Sequence, residues 1–115
     1  MDKEQENMKV SELIEKGGFR VFNSSADREI KGVYISDMVS DIIGINEGNL
    51  LVTLQTHKNL IAAANLVDVA AVVFTRGKVP PDDVIALAGK AGIGLLGFEN
   101  DTWTLAKKLY ELGVR

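Results

Sequence analysis

The chain of 115 residues has no cysteine. That absence excludes disulfides, thiol catalysis and cysteine-ligated zinc or iron–sulfur centres. His57 is the only histidine, so a metal site there would have to recruit Asp37 or Asp101 from distant loops. Neither a metal nor a cofactor is expected. No apolar run approaches the roughly 20 residues of a membrane span. The charged opening MDKEQENMKV has no apolar segment of the kind found in a secretion signal. A cytoplasmic location without membrane contact is the expectation. Positive charge is not in excess either. Thirteen Lys and Arg stand against sixteen Asp and Glu, which argues against a nucleic-acid module, because phosphate binding needs a basic face. The glycines are read as forming neither a G-x-G-x-x-G fingerprint nor a G-K-[ST] phosphate loop, so ATP hydrolysis and kinase chemistry have no visible machinery.

What is present is the ordinary globular mixture, with 46% hydrophobic and 25% charged residues. The length suits one domain, and no linker divides it. Residues 1–7 read as a polar tail and 8–115 as the domain. Val10, Leu13 and Ile14 fall at helical spacing, stopped by Gly17-Gly18. Residues 19–22 and 32–35 read as short strands around a polar loop, and 37–43 as a helix. LLVTL (50–54), AAVVF (70–74) and residues 93–96 are buried-strand candidates. Between them lie an alanine-rich helix (60–67) and one opened by Pro80-Pro81-Asp82-Asp83 and running to Ala91. A last helix, capped by Asn100-Asp101-Thr102, carries Trp103, Ala106, Leu109 and Tyr110 on one face. Apolar strands without alternation are covered on both faces. The expectation is a single three-layer α/β/α domain with a small, mostly parallel sheet.

In such a sheet, ligands bind beyond the carboxyl ends of the strands. The richest polar stretch there is Thr53-Leu54-Gln55-Thr56-His57-Lys58-Asn59. Thr56 is read as the N-cap of the next helix, with Asn59 reaching back toward it. A strand leading into a helix start also suits a phosphate or carboxylate. Arg76-Gly77-Lys78 reads as a solvated turn, or as an anion clamp at the same edge. Helix 60–67, LIAAANLV, is apolar almost all round, so it is either deeply buried or covered by a second copy of the chain.

The blocks GVYISDMVSDI, Gln55-Thr56-His57-x-Asn59, Pro81-Asp82 and Leu109-Tyr110-Glu111-Leu112-Gly113 carry a family resemblance. Over residues 8–114 the chain resembles the stand-alone DRTGG-domain proteins. It is similar through them to the N-terminal domain of HPr kinase/phosphorylase. The string D-R-T-G-G is absent; Thr75-Arg76-Gly77 is the nearest local match, and Asp27-Arg28 lies in an earlier loop. The resemblance implies an α/β regulatory or oligomerisation module of a kind found alone or beside nucleotide-sensing CBS domains. It also implies hydrogenase-associated or signalling proteins as partners. The kinase domain of HPr kinase is missing, so no kinase activity carries over.

These readings converge on a non-enzymatic regulatory module that binds a small anionic ligand, such as a nucleotide, or a partner protein, as a homodimer. The candidate ligand-binding residues are Asp37, Gln55, Thr56, His57, Asn59, Thr75 and Arg76. Thr56 and the helix start would hold the anion, Arg76 would supply counter-charge, His57 a donor, and Asp37 would orient His57. One rival is a small enzyme using His57 as acid/base on a phosphorylated or acyl substrate. The other is a pure dimerisation scaffold.

Overall fold

A computed structural model describes residues 7–115. The polar tail expected over residues 1–7 lies outside the described residues except for Asn7. The elements run α1 (Val10–Gly17), β1 (Arg20–Val21), β2 (Gly32–Ile35), α2 (Val39–Ile42), β3 (Asn49–Thr53), α3 (Lys58–Leu66), β4 (Ala71–Phe74), α4 (Asp82–Ala91), β5 (Gly94–Gly97) and α5 (Thr102–Leu112). They form one sheet in the order β1-β5-β4-β3-β2. Strands β2 to β5 are parallel neighbours, while β1 runs antiparallel to β5.

Side-chain alternation explains the three layers. Along β3 and β4, Leu50, Val52, Ala71 and Val73 join one apolar cluster with Val10 and Leu13 of α1 and Leu105 and Leu109 of α5. Leu51, Val72 and Phe74 join the other, with Ile42 of α2, Leu60 and Ala64 of α3, and Val84 and Ala88 of α4. Successive residues point to opposite faces, and both faces are covered. This is why the strands read as unbroken apolar runs. At roughly 25 cal/mol per Å2 of apolar surface removed from water, burial of this kind is the main force holding the layers.

Local signals set the ends of the helices. The Lys9 N–H donates to Glu12 Oε1 at 2.9 Å at the start of α1. Pro81, with φ −64°, leads α4, whose first turn carries Asp82 and Asp83. The Thr104 N–H donates to the Asp101 carboxylate at 2.9 Å at the start of α5. Gly18, Gly92 and Gly113 end α1, α4 and α5 with positive φ, where a side chain would be strained.

Some expectations need correction. On α5 the inward residues are Leu105 and Leu109, whereas Trp103 and Tyr110 are 71% and 62% exposed. Of the four residues read as one face, Trp103, Ala106 and Tyr110 line one outer surface, while Leu109 turns inward with Leu105. Helix α3 is buried through Leu60, Ile61, Ala63 and Ala64, with Ala62, Asn65 and Leu66 outside. It packs between α2 and α4 over the sheet, so most of its apolar surface is covered within the chain. The string Gly92-Ile93-Gly94-Leu95-Leu96-Gly97 does spell G-x-G-x-x-G. It occupies the α4 cap and strand β5 instead of joining a strand to a helix, so it has no phosphate-cradling geometry. Gly97 and Gly94 instead make room for the Phe22 ring and the Ser25 side chain.

Candidate functional site

The seven residues singled out from the sequence all lie on or near the carboxyl edge of the sheet, but they do not form one cluster. Asp37 Oδ1 accepts from the Thr53 hydroxyl at 2.9 Å and from the Leu54 N–H at 2.8 Å. The Thr53 hydroxyl oxygen in turn accepts from the Gln55 N–H at 3.1 Å. Asp37 therefore ties the loop after β2 to the loop after β3, and its carboxylate is occupied there instead of orienting His57. The N-cap position of α3 is His57, not Thr56, and His57 makes no capping bond with its side chain. Gln55 and Thr56 are half-buried, and His57 and Asn59 are exposed. Lys58 Nζ lies 3.8 Å from the Asp83 carboxylate at the start of α4. The lysine at the α3 start is thus paired with an acid, which reduces the positive charge it offers to an anion.

The other two residues belong to the β4 side. Thr75 is fully buried, and its hydroxyl shares a 3.0 Å hydrogen bond with that of Thr102. It holds β4 against the start of α5 and cannot touch a ligand from there. Arg76 adopts a positive φ of 62°, next to Gly77 at 66°. Its N–H donates to the Asn100 carbonyl at 2.8 Å, and the Gly77 N–H donates to that of Phe98 at 2.9 Å. These bonds hold the strained loop after β4 against the loop after β5.

Connectivity explains why this second pair of loops differs. Helices α2, α3 and α4 all pack on one face, so the loops after β2, β3 and β4 leave in the same direction. Helix α5 packs on the other face. The loops after β4 and β5 therefore diverge, and a crevice between adjacent parallel strands opens where that happens. A cleft of about 370 Å3 lies at this point, within the roughly 300–1,000 Å3 of small-molecule sites. Its walls are Gly77, Lys78 and Val79 after β4, Gly97 to Asn100 after β5, and Thr104 and Lys108 of α5. Gly17, Gly18, Arg20 and Phe22 close it from the α1–β1 side. The antiparallel pairing of Arg20 with Gly97 brings β1 to this edge.

The cleft contains none of the seven sequence-derived candidates. Arg76 is adjacent to it in the chain, and the 55–59 segment sits one strand away. Its charged groups are Arg20, Lys78, Lys108 and Glu99. Among the described residues, ion pairs join Arg28 to Asp68, Lys31 to Glu47 and Lys58 to Asp83. None of them involves a residue of the cleft. The Arg20 guanidinium lies 4.8 Å from the centre of the Phe22 ring, a cation–π contact that fixes its direction. At the cleft's margin, the hydrogen bonds from Thr104 hold the Asp101 carboxyl below its usual range, with Arg76 adding to the effect. Among the described residues, no group of three or more His, Asp or Glu side chains is placed to hold a metal ion, and no helix is long and apolar enough to cross a membrane.

Sequence reasoning read Lys78 as part of a solvated turn or an anion clamp and did not bring Arg20, Glu99 and Lys108 together with it. Gly17-Gly18 read as a helix stop and nothing more. No local signal says that a two-residue strand will pair antiparallel with β5 and carry Arg20 to the opposite end of the chain.

The chain has no match among curated proteins. It is similar to a solved structure of the CBS and DRTGG domains of the regulatory region of Clostridium perfringens pyrophosphatase, complexed with its activator, diadenosine tetraphosphate. The TM-score is 0.70 at 18% identity, over 85% of this chain and 44% of that one. The likeness is one of fold, and the chain spans less than half of that neighbour. The DRTGG domain model matches residues 12–112, from α1 to the end of α5. The α/β/α layers, the mixed sheet and this match together place the chain in the DRTGG-domain family.

Proposed function

We propose that this domain is a non-enzymatic regulatory module that binds a small anionic ligand of the nucleotide class in the cleft between the loops after β4 and β5. The observation that carries the reading is the set Arg20, Lys78 and Lys108, which surrounds the cleft without an ionic partner among the described residues. Cations held around a concave site attract phosphate more strongly than they would on an open surface. Glu99 adds an acceptor for a hydroxyl or amino group, and Phe98 and Phe22 add apolar wall. The nucleotide activator bound by the Clostridium perfringens neighbour supports the ligand class.

In this reading Gln55, Thr56, His57 and Asn59 form a shelf beside the cleft. Asp37, Thr75 and Arg76 hold the loops in shape. The module works as a homodimer and passes its ligand state to a partner, for which a signalling or hydrogenase-associated protein remains our proposal. Acid/base catalysis by His57 has less support, because Asp37 is bonded to Thr53 and Leu54 instead.

The test is calorimetric titration of AMP, ATP and diadenosine tetraphosphate into the wild type, His57→Ala and the double variant Lys78→Ala/Lys108→Ala. Saturable binding by at least one nucleotide, weakened in the double variant and kept in His57→Ala, supports the proposal. Absence of binding by all three, or binding lost only in His57→Ala, contradicts it.

A further inference from the structure

The cleft holds two features that a site for a bare anion would not need. The first is a stacked pair on β1. Arg20 and Phe22 alternate with Val21, so they project to the same face, and both line the cleft. They lie against Gly97: a Cβ there would stand 2.9 Å from the Phe22 ring and 3.5 Å from Arg20 Cβ. The missing side chain lets the ring settle on the backbone of β5, and the Arg20 guanidinium lies over it, 4.8 Å from the ring centre. Phe98 offers no second ring. It is 8% exposed and packs on Phe19, with ring centres 5.6 Å apart. Phe22 is half-buried, and Val79, also on the cleft wall, is exposed. The second feature is Glu99. Its carboxylate oxygens lie 3.3 and 3.7 Å from where a Gly77 Cβ would stand, so the acid reaches over to the loop after β4. It is exposed, and among the described residues no cation pairs with it. An unpaired acid on the wall counts against a bare polyphosphate.

We infer that the cleft takes a ribonucleotide in one orientation, with its base on the Arg20–Phe22 platform, its ribose hydroxyls on Glu99 and its phosphates at Lys78 and Lys108. This rests on the nucleotide reading of the cleft and names the part of the ligand that each wall recognises. The order of the three stations follows the chain. Gly97, under the platform, precedes Glu99 by two residues, and Gly77, under the Glu99 carboxylate, directly precedes Lys78. The acid thus comes between the platform and the lysine, as a ribose comes between base and phosphate. Planar bases stack on aromatic rings and on guanidinium planes alike. A carboxylate is an acceptor only, with two oxygens. The adjacent 2′- and 3′-hydroxyls of a ribose are two donors that match it, and acids hold ribose hydroxyls in this way in dinucleotide-binding folds. Lys108 is half-buried, while its neighbour Lys107 is exposed, and Lys108 is the one that lines the cleft. The specificity that follows is for an aromatic base and an intact ribose, not for charge alone.

The test is calorimetric titration of ATP, 2′-deoxy-ATP and inorganic tripolyphosphate into the full chain, Glu99→Ala and Phe22→Leu, with circular dichroism to check that each is folded. In the wild type, ATP should bind tightest. Loss of one hydrogen bond to a charged group should make 2′-deoxy-ATP about tenfold weaker, and tripolyphosphate should be weaker still. Glu99→Ala should bring the two nucleotides to within about twofold of each other and strengthen tripolyphosphate, because a repelling charge is gone. Phe22→Leu should weaken both nucleotides by a similar factor, about fivefold or more. Equal binding of ATP and 2′-deoxy-ATP by the wild type overturns the inference, and so does a ratio that Glu99→Ala leaves unchanged. If Phe22→Leu does not fold, the ratio in Glu99→Ala decides alone, since that position is exposed. Lys78→Ala/Lys108→Ala, titrated alongside, separates the two readings. Nucleotide binding that depends on the lysines but ignores the 2′-hydroxyl removes the orientation and leaves the ligand site standing, while absence of nucleotide binding removes both.

Discussion

The two halves of the sheet's carboxyl edge have similar chemistry and different shapes. After β2 and β3 come Ser36, Asp37, Gln55, Thr56, His57 and Asn59. After β4 and β5 come Thr75, Arg76, Lys78, Glu99 and Asn100. In the first half both loops turn toward the same face, and Asp37 closes the space between them. In the second half the loops part to opposite faces and leave a cleft. A polar loop beyond a parallel strand is common to both halves. Only the divergence of neighbouring loops makes a concave site, and divergence depends on which face the next helix takes.

The largest effect that would sharpen this contrast is on binding. Replacing Lys78 and Lys108 together by alanine should weaken nucleotide affinity about tenfold or more, since charge-assisted hydrogen bonds contribute roughly 1.5–3 kcal/mol each. His57→Ala should leave affinity within about twofold. Equal losses in the two variants, read by calorimetry, would merge the halves into one site. Next comes stability. Asp37→Ala removes the acceptor for Thr53 and Leu54 and should cost about 1–3 kcal/mol in urea unfolding, with nucleotide affinity retained. A loss of affinity matching that seen without the lysines would put the ligand on the β2/β3 side.

These contrasts bear on how much the residues announced. Strand β2 was legible to the residue from its turn-bounded apolar run, and β3, β4 and β5 within a residue or so. Proline and acids marked the start of α4, and Gly17-Gly18 marked the end of α1. Those signals are local, so a linear reading reaches them. Two things were not local. The 3.6-residue period of α5 does not say which stripe faces inward, and Leu109, grouped with Trp103 and Tyr110, packs inward with Leu105 instead. The placement of β1 beside β5 depends on long-range pairing, so the cleft's Arg20 was invisible. The TLQTHKN segment lies inside the family match, and within it the Thr53 hydroxyl and the Leu54 and Gln55 N–H groups are bonded in the turn.

Smaller effects test the β4 loop itself. Thr75→Val leaves the Thr102 hydroxyl without its buried partner and should destabilise by about 1 kcal/mol. Arg76→Gly relieves a positive φ that costs a side-chain-bearing residue roughly 1–2 kcal/mol. Part of that gain is lost to the greater freedom of glycine in the unfolded chain, so a melting temperature that is unchanged or raised by a few degrees is expected. A marked drop would mean that the guanidinium holds the loop, instead of the Asn100 carbonyl. The smallest effect is in acid. The Asp101 carboxyl, bonded by Thr104, titrates below its ordinary 3.8. Its contribution is complete above that value and fades as pH falls through the lower folded-state pKa. Asp101→Asn should therefore lose less stability than the wild type between pH 4 and pH 2 in thermal melts. An identical acid profile would assign the acid loss to other carboxylates, such as Asp27, which Ser11 holds low in the same way.

The most direct test is to follow backbone amide shifts of the full chain by NMR as ATP is added. The account predicts saturable shifts at Gly18, Arg20, Lys78, Glu99 and Asn100, with the amides of residues 54–59 nearly still. Shifts centred on residues 54–59, with the cleft unmoved, would contradict it.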